Sequence, residues 1–179
     1  MEDIEYAKLS GSWFLHRTDE PFVPELLPVC HHGKLDVKED GTFSASEEVR
    51  MQGKVWMSDD ISGSFKNGSI EANMFDDKIG LMMELIDTDY EKYIIGYECY
   101  DNMQFALETE DVEPVHIITM GIATRNPDED EEFLASLEKI ALEKLPFMKQ
   151  EDFAEVKQGK KGKCDYQIDL WKTFKGFQK

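Results

Sequence analysis

The sequence has few basic residues and no long apolar run, and each shortage excludes a class of protein. Twenty lysines and arginines stand against 38 aspartates and glutamates, which leaves a net charge of −18. Duplex nucleic acid and anionic membrane surfaces are bound through Lys and Arg, so neither is an expected partner. The longest apolar runs, such as residues 93–97, are far too short to cross a bilayer. Membrane insertion is therefore not expected.

Cysteine is also scarce, and its count is odd. With Cys30, Cys99 and Cys164, one thiol is either free or bonded outside the chain. The segment from Met1 to Glu5 has neither the basic nor the apolar part of a secretory signal peptide. Two interpretations follow from this start: a cytosolic protein, or a mature secreted form that begins with an added Met.

What the sequence does contain is alternation of apolar and polar residues, which predicts half-buried β-strands. Residues 30–38 and 43–51 alternate in this way around the turn at residues 39–41, so the pair predicts a hairpin. The opening stretch from Leu9 to Arg17 predicts a first strand. Eight short strands with tight turns favour a sandwich or an up-and-down barrel. The other five are predicted over residues 54–65, 69–75, 79–86, 92–100 and 115–123.

One segment has helical spacing instead. Asn126 is a good N-cap, Pro127 suits the first turn, and the acidic residues 128–132 complement the positive end of the helix dipole. The spacing predicts a helix from Pro127 to Leu145, ended by Pro146. The acidic run is interpreted as a solvated helix start and not as a metal site. Apolar residues recur at Phe133, Leu134, Leu137, Ile140, Ala141 and Leu145.

Three residue groups, in chain order, resemble the lipocalin family. They are Gly11-Ser12-Trp13 at the opening strand, Thr88-Asp89-Tyr90 between the sixth and seventh strands, and Arg125 before the helix. The resemblance implies an all-β fold: an eight-stranded up-and-down antiparallel barrel, the calyx, with one C-terminal α-helix packed outside. It also implies that Trp13 closes the narrow end and that Arg125 packs across its indole in a cation–π contact.

A finer resemblance is to the apolipoprotein D branch, which includes insect bilin-binding proteins and the crustacyanin-like carotenoid carriers of crustaceans. It rests on Cys30, on residues 87–99, on ATRNP at residues 123–127 and on a cysteine soon after the helix. It covers roughly residues 9–166. A lipocalin domain over residues 1–166 and a docking or flexible tail over residues 167–179 are therefore expected.

The branch resemblance also implies a Cys30–Cys164 disulfide. The partner of the Cys99 position is missing near the N-terminus, so Cys99 is expected to be a free thiol. A disulfide requires an oxidising compartment, and Asn67-Gly68-Ser69 is a glycosylation sequon in a predicted turn. Together these favour a secreted glycoprotein.

The alternation also predicts which side chains line the calyx. Few of them are polar, and such a cavity suits a carotenoid, bilin, retinoid or fatty acid, although the same side chains would also fill a solid core. In the fourth strand, Val55 and Met57 are taken as inward, with Trp56 the alternative. No catalytic residue, metal or required cofactor is predicted. The predicted ligand-binding residues are His31, Leu35, Val37, Phe43, Val49, Met51, Val55, Met57, Met74, Leu81, Met83, Tyr93 and Tyr97.

Two other functions remain open beside an extracellular carrier. Glu47 falls on the inward register of the third strand, which would suit a scavenger of biogenic amines. An inward Cys99 would suit an enzyme that uses a calyx thiol. Ligand selectivity is expected in the open-end loops, residues 18–29 and 100–114. Those loops and the tail are also the expected contacts of any homo-oligomer.

Overall fold

A computed structural model describes residues 4–19, 27–51, 54–66, 69–74, 79–101 and 117–167. It confirms the expected strands within a residue or two at their ends. A one-turn 3-10 helix, Tyr6–Leu9, precedes them. The strands are β1 Gly11–Asp19, β2 Val29–Val37, β3 Thr42–Met51, β4 Lys54–Lys66, β5 Ser69–Met74, β6 Ile79–Thr88, β7 Tyr93–Asp101 and β8 Ile117–Thr124.

The eight strands form a closed antiparallel barrel. Each of β2 to β7 pairs with the next strand along the chain, and β1 pairs with both β2 and β8, which closes the ring. Closure removes the exposed strand edges that an open sheet would leave. A short strand β9, Phe153–Glu155, adds to the end of β1 opposite Arg17, Thr18 and Asp19. The sequence did not predict β9.

The outer helix α1 is shorter at its start than predicted: it spans Glu131–Lys144 and does not begin at Pro127. Asp130, and not Asn126, is the N-cap, because its carboxylate accepts a hydrogen bond from the Phe133 N–H at 2.8 Å. The Asn126 side chain instead accepts from the Asp128 N–H and holds a turn before the helix. Both residues are good cap types, so the sequence did not distinguish them.

Two apolar cores hold the molecule together. The inner core lies inside the barrel and includes Phe43, Phe65 and Leu85. The outer core lies between α1 and the outer face of β7 and β8, where Ile95 and Leu137 are almost fully buried. The sheet is therefore buried on both faces along β7 and β8.

Chain direction separates the two ends of the barrel. The turns at residues 38–41 and 89–92, with the 3-10 helix, form what we call the closed end. At the opposite, open end the described strands β1, β3, β5 and β7 end; the connections that follow them are residues 20–28, 52–53, 75–78 and 102–116. Most of these residues, and with them the predicted selectivity loops, lie outside the described residues. So do Asn67 of the sequon and residues 168–179 of the predicted tail.

The predicted Cys30–Cys164 disulfide is present and spans 134 residues of sequence. It fastens the segment after α1 to the start of β2. The Cys30 N–H also donates to the Lys157 carbonyl at 3.0 Å, and a one-turn helix α2, Gly159–Gly162, leads to Cys164. In the part of the chain that is described, no helix has the length and apolar character of a membrane span.

Candidate ligand site and barrel plug

Trp13 and Arg125 close the narrow end of the barrel, as the resemblance implied. The Trp13 side chain is 5% exposed, and its indole Nε1–H donates to the Leu9 carbonyl at 2.8 Å. The Arg125 guanidinium carbon lies 3.5 Å from the centroid of the Trp13 ring. This is a close cation–π contact, which also covers the ring from outside.

Arg125 is further held by backbone carbonyls on three segments. Its guanidinium donates to Ser12 at 3.1 Å, to Lys8 at 3.0 Å and to Tyr90 at 3.3 Å. Gly11 makes room for it: φ is +112°, and a Cβ there would lie 2.7 Å from Arg125 Nη1. A side chain at position 11 would therefore displace the arginine and strain the backbone.

Thr88-Asp89-Tyr90 builds the turn that brings Tyr90 to this arginine. The Asp89 carboxylate accepts from the backbone N–H groups of residues 91, 92 and 93. The Thr88 hydroxyl donates to the Tyr93 carbonyl and accepts from the Tyr90 N–H. These bonds stabilise Tyr90 at φ +65°, a left-handed conformation in which its carbonyl faces Arg125. The three sequence motifs that resemble the lipocalin family thus contact one another at the closed end of the barrel.

Inside the barrel, packing is dense at the closed end and loosens towards the open end. Val37 and Phe43 are buried in the inner core, whereas Leu35 and Val49, further along the same two strands, retain accessible surface. On β6, Leu85 is buried, while Leu81 and Met83 are partly accessible. The open-end half of the barrel is therefore where a ligand would find unfilled space.

Gly33 lies on the inner face of β2, midway between the two ends of the strand. It pairs with Trp13 on one side and with Glu47 on the other. Apart from its own chain neighbours, no heavy atom of the described residues lies within 4 Å of a Cβ added at Gly33. At Gly96 on β7, in contrast, it would lie 3.1 Å from Met83 Sδ. Open space therefore adjoins β2 at Gly33, whereas Met83 occupies the corresponding space at Gly96.

The prediction that Tyr93 and Tyr97 line the calyx is wrong. Both project from the outer face of β7: Tyr93 packs edge-on against Phe133, and Tyr97 against Phe147. The Tyr93 hydroxyl donates to Asp87, and burial together with that carboxylate raises its pKa to about 12. The alternation of apolar and polar residues did not show which residues of β7 face inward. The outer face of β7 packs against α1 and is therefore as apolar as its inner face.

The prediction that Val55 faces inward is also wrong. A bulge shifts the β3–β4 register between Ala45 and Glu47, which reverses the inward phase along β4. Val55 is 44% exposed, and Met57 pairs with the outward-facing Glu48. Trp56, the rejected alternative, holds the inward register. The side chains of Met51, Met57 and Met74 lie outside the described set.

Three ionisable side chains, His31, Glu47 and Glu98, stand on the inner face of the open-end half, and we call them the calyx cluster. His31 Nε2 and Glu47 Oε1 form a hydrogen-bonded ion pair whose side chains are 22% and 27% exposed. Glu98 is on the inner register of β7 because its partner is Met83. The sequence missed Glu98 only because the phase of β7 was wrong.

The charges of the calyx cluster are mutually stabilised. Burial alone would lower the pKa of His31, but attraction and hydrogen bonding to Glu47, with attraction to Glu98, raise it above the usual value. Burial would raise the pKa of Glu47, but His31 lowers it. Both shifts favour the form of the pair in which His31 is an imidazolium and Glu47 a carboxylate. The second ring nitrogen, His31 Nδ1, is buried and has no hydrogen-bond partner among the described residues.

Cys99 lies outside the calyx. It pairs with Met82 and Ile118, which are 51% and 53% exposed, and it alternates with the inward Glu98. The predicted free thiol is present, but an inward thiol is not. A calyx-thiol mechanism therefore has no basis in this residue. No three His, Cys, Asp or Glu side chains within the described ranges are placed to hold a metal ion.

A shallow groove on the outer face of β3, β4 and β5 is a separate feature. Its lining includes Ser44, Ser62, Ser64 and Glu71, so it is polar and does not match an apolar ligand. The candidate ligand site is accordingly the open-end half of the barrel.

A closed eight-stranded barrel with a tryptophan–arginine plug and an outer C-terminal helix is the lipocalin fold. Among solved structures, it is similar to apocrustacyanin C2, with a TM-score of 0.67 and 13% identity over 92% of this chain and 84% of that one. Lobster apocrustacyanin A1 matches with a TM-score of 0.64 and 13% identity over 90% and 82%. Apocrustacyanin C1 matches at 0.64 and 15% over 94% and 86%. No family model and no curated protein match the sequence.

Proposed function

We propose that the protein is a carrier that binds a small hydrophobic molecule in the open-end half of its barrel. The observation that carries this proposal is the open space beside Gly33, on an inner face whose neighbouring side chains Leu35 and Val49 keep accessible surface. A core evolved only for stability packs such space at near-crystalline density. A concave, mostly apolar space with a few polar groups is the usual form of a small-molecule site.

The ligand class follows from the lining and from the branch that the sequence resembles. Leu35, Leu81 and Met83 offer an apolar, adaptable surface suited to a flat or elongated molecule. The resemblance favours a carotenoid or bilin first, and then a retinoid or fatty acid. The Cys30–Cys164 disulfide supports an extracellular setting, because such bonds persist in oxidising compartments.

The absorption spectrum of natively purified protein tests the function directly. A visible band would identify a carotenoid or bilin, and a near-ultraviolet band a retinoid. Protein without a band would be titrated with retinol and with hexadecanol, using displacement of N-phenyl-1-naphthylamine. Failure of the native protein to carry, and of the stripped protein to bind, any of these at micromolar concentrations would refute the carrier proposal.

Amine scavenging remains a second candidate, because Glu98 joins Glu47 on the inner face. Two carboxylates would attract a cation, although the imidazolium of His31 neutralises one of them. Histamine and serotonin belong in the same displacement assay. Micromolar binding of either, without binding of any apolar ligand, would establish this function in place of the first.

A further inference from the structure

The segment that follows β9, residues 156–166, lies against the outside of the barrel, and we call it the outer strap. The Cys30–Cys164 disulfide fastens it to the start of β2. Within the strap, the Gln158 side chain is 3% exposed, although Lys157 and Lys160 on either side are exposed. A polar side chain is buried this deeply where other polar groups bond it.

The Gln158 amide bridges two strands of the barrel. Its Nε2 donates to the Leu15 carbonyl of β1 at 2.6 Å and to the His31 carbonyl of β2 at 2.9 Å. Its Oε1 accepts from the Tyr166 hydroxyl at 2.6 Å. The regular pairing of β1 with β2 ends one residue short of these two carbonyls. The amide therefore bridges β1 and β2 at the point where their own pairing stops.

His31 also lies at an irregularity in β2. The register of β2 against β3 shifts across Cys30 and His31, which form a bulge. Cys30 has a φ of +59°, a left-handed conformation that is uncommon outside glycine. The backbone of a bulge lacks regular strand partners, and here the outer strap supplies them on both sides. The Lys157 carbonyl accepts from the Cys30 N–H at 3.0 Å, and Gln158 donates to the His31 carbonyl.

The side chain of His31 points in the opposite direction, into the calyx. Its Nε2 bonds to Glu47, whose strand partner is Gly33 and not His31. The position of the ring therefore depends on where the bulge holds the backbone. No hydrogen bond from the described residues reaches its buried Nδ1. Whether this nitrogen carries a proton or a lone pair, a hydroxyl group of a ligand would bond to it, because a hydroxyl both donates and accepts.

We infer that Gln158, from outside the barrel, is a positioning residue for the ligand, because it holds the bulge from which His31 reaches the polar head of the ligand. The inference rests on the proposed carrier function and adds to it a residue that lies outside the calyx. Gln158 acts through His31, since its own amide is used by two carbonyls and by Tyr166. Removal of the amide lets the bulge and the imidazole move, so binding weakens although the calyx lining is unchanged.

A double-mutant cycle on ligand affinity tests this role. Gln158→Leu keeps much of the side-chain volume but has no donor for the two carbonyls. His31→Phe removes the ring nitrogens and keeps a ring. Retinol, which ends in a hydroxyl, is the probe, and its affinity is measured at pH 7 by displacement of N-phenyl-1-naphthylamine. Lys161→Gln is the matched control in the same strap, because the ion pairs of Lys161 go to Glu131 of α1 and Glu155 of β9.

Gln158→Leu is expected to bind retinol about fivefold to tenfold more weakly than wild type does, and Lys161→Gln should bind it as wild type does. In a His31→Phe background, the change at Gln158 should alter the affinity less than about twofold, because the side chain through which Gln158 acts is already gone. A role that is only structural would lower the affinity by the same factor in both backgrounds.

A second measurement needs no ligand. Proton–carbon NMR of the imidazoles, with the His31 signal assigned from His31→Phe, follows the pKa of this ring. Burial lowers the pKa of His31, but contact with Glu47 raises it above the usual value. In Gln158→Leu the measured pKa should fall towards the usual value, because the ring moves away from this carboxylate. The dispersion of the same spectra shows whether the variant is folded.

Two results would overturn the inference while leaving the carrier function intact. They are an unchanged retinol affinity in a folded Gln158→Leu variant, or an equal loss of affinity in the wild-type and His31→Phe backgrounds. Absence of binding for every ligand, together with no ligand in the native protein, would instead refute the carrier function itself. An unchanged NMR titration of His31 in Gln158→Leu would then refute the positioning role as well.

Discussion

At the scale of single residues, Arg125 holds together the closed end of the barrel. It stacks on Trp13 and ties together carbonyls of the N-terminal segment, of β1 and of the β6–β7 turn. Gly11 is required because this guanidinium occupies the place of a Cβ and because its φ of +112° favours glycine. Trp13, Arg125 and Gly11 therefore depend on one another in forming the plug.

Arg125→Gln is expected to lower the free energy of unfolding by about 2–4 kcal/mol. The change removes the cation–π contact and the charge-assisted hydrogen bonds to Ser12 and Lys8. Urea unfolding followed by Trp fluorescence measures the loss. Arg125→Lys is the control: it keeps the cation but not the three-way donation, so it should recover less than half. A variant as stable as wild type would contradict the role of the plug.

The His31–Glu47 ion pair predicts a defined pH dependence. The raised pKa of His31 gives stability that is fully present below its ordinary value of 6.5 and is lost as pH rises through the folded-state pKa. The lowered pKa of Glu47 gives stability that is present above its ordinary value of 4.5 and is lost as pH falls through the folded-state pKa. The pair therefore stabilises fully between these two ordinary values, with Glu98 also facing His31.

A double-mutant cycle with His31→Phe and Glu47→Gln measures this coupling. We expect an interaction of about 1–3 kcal/mol at pH 5.5 and a smaller one at pH 10, because the attraction is lost as pH rises through the folded-state pKa of His31. Urea unfolding at the two pH values supplies the data. A coupling that is the same at pH 5.5 and pH 10 would show that the two side chains do not form an ion pair.

At the scale of elements, α1 is fixed to the barrel by apolar packing and by one buried ion pair. Arg17 of β1 donates through Nε to Glu138 of α1 and through Nη2 to Glu131 at 2.6 Å. Arg17 and Glu138 side chains are each 10% exposed. A buried pair of this kind fixes the position of the helix more than it adds to stability, because desolvation offsets much of the attraction.

Arg17→Met should therefore cost about 3–5 kcal/mol, because it leaves the Glu138 carboxylate buried without its cation. Arg17→Met/Glu138→Leu should recover most of that loss, since no buried charge remains. Thermal and urea unfolding of both variants measure the difference. A double variant no more stable than Arg17→Met would show that the cost comes from packing and not from the unpaired charge.

The disulfide is the second fastening between elements. Removing a cross-link between residues 134 apart should cost about 4–5 kcal/mol in the chain-entropy model. Cys30→Ser/Cys164→Ser is the test, and Cys99→Ser, which removes a thiol that makes no disulfide, is the matched control. Equal unfolding free energies for the double variant and the control would contradict the structural role of the bond.

Elements also show how far the sequence could predict the structure. Strands β2, β3, β5 and β6 have one face towards the barrel interior and the other towards solvent or only thinly covered by other elements. The alternation of apolar and polar residues therefore predicted their inward residues, such as Leu35, Phe43 and Met83. β7 is apolar on both faces because α1 covers its outer face, so the sequence did not show which of its residues face inward. The bulge in β4 has no local sequence signal, so Val55 was misplaced. Both errors concern the face of the strand on which a side chain lies, and not the fold.

The same limits determined which residues of the candidate site could be predicted from the sequence. His31 and Glu47 were predicted inward, but their pairing was not, because strand alignment depends on turn and bulge geometry. Glu98 was missed with the phase of β7. The plug and the disulfide were anticipated from resemblance, and the contacts that hold Arg125 required coordinates.

At the scale of the whole molecule, the barrel is asymmetric along its axis. The closed end is sealed by Trp13 and Arg125 and packed by the inner core, while the open-end half keeps unfilled space beside Gly33. Apolar packing is thus denser at the end away from the site. This division lets side chains in the open-end half vary with ligand without loss of the fold.

The central claim, that this space binds the ligand, is tested most directly by filling it. Gly33→Leu adds a side chain where a Cβ meets nothing, at a φ that does not require glycine. Asp36→Leu, on the exposed outer face of the same strand, is the matched control. Titration with the ligand recovered from native protein, or with retinol, gives the affinities. We expect Gly33→Leu to lose at least about tenfold in affinity without loss of unfolding free energy, and Asp36→Leu to bind as wild type does. Unchanged affinity in a folded Gly33→Leu variant would contradict the account.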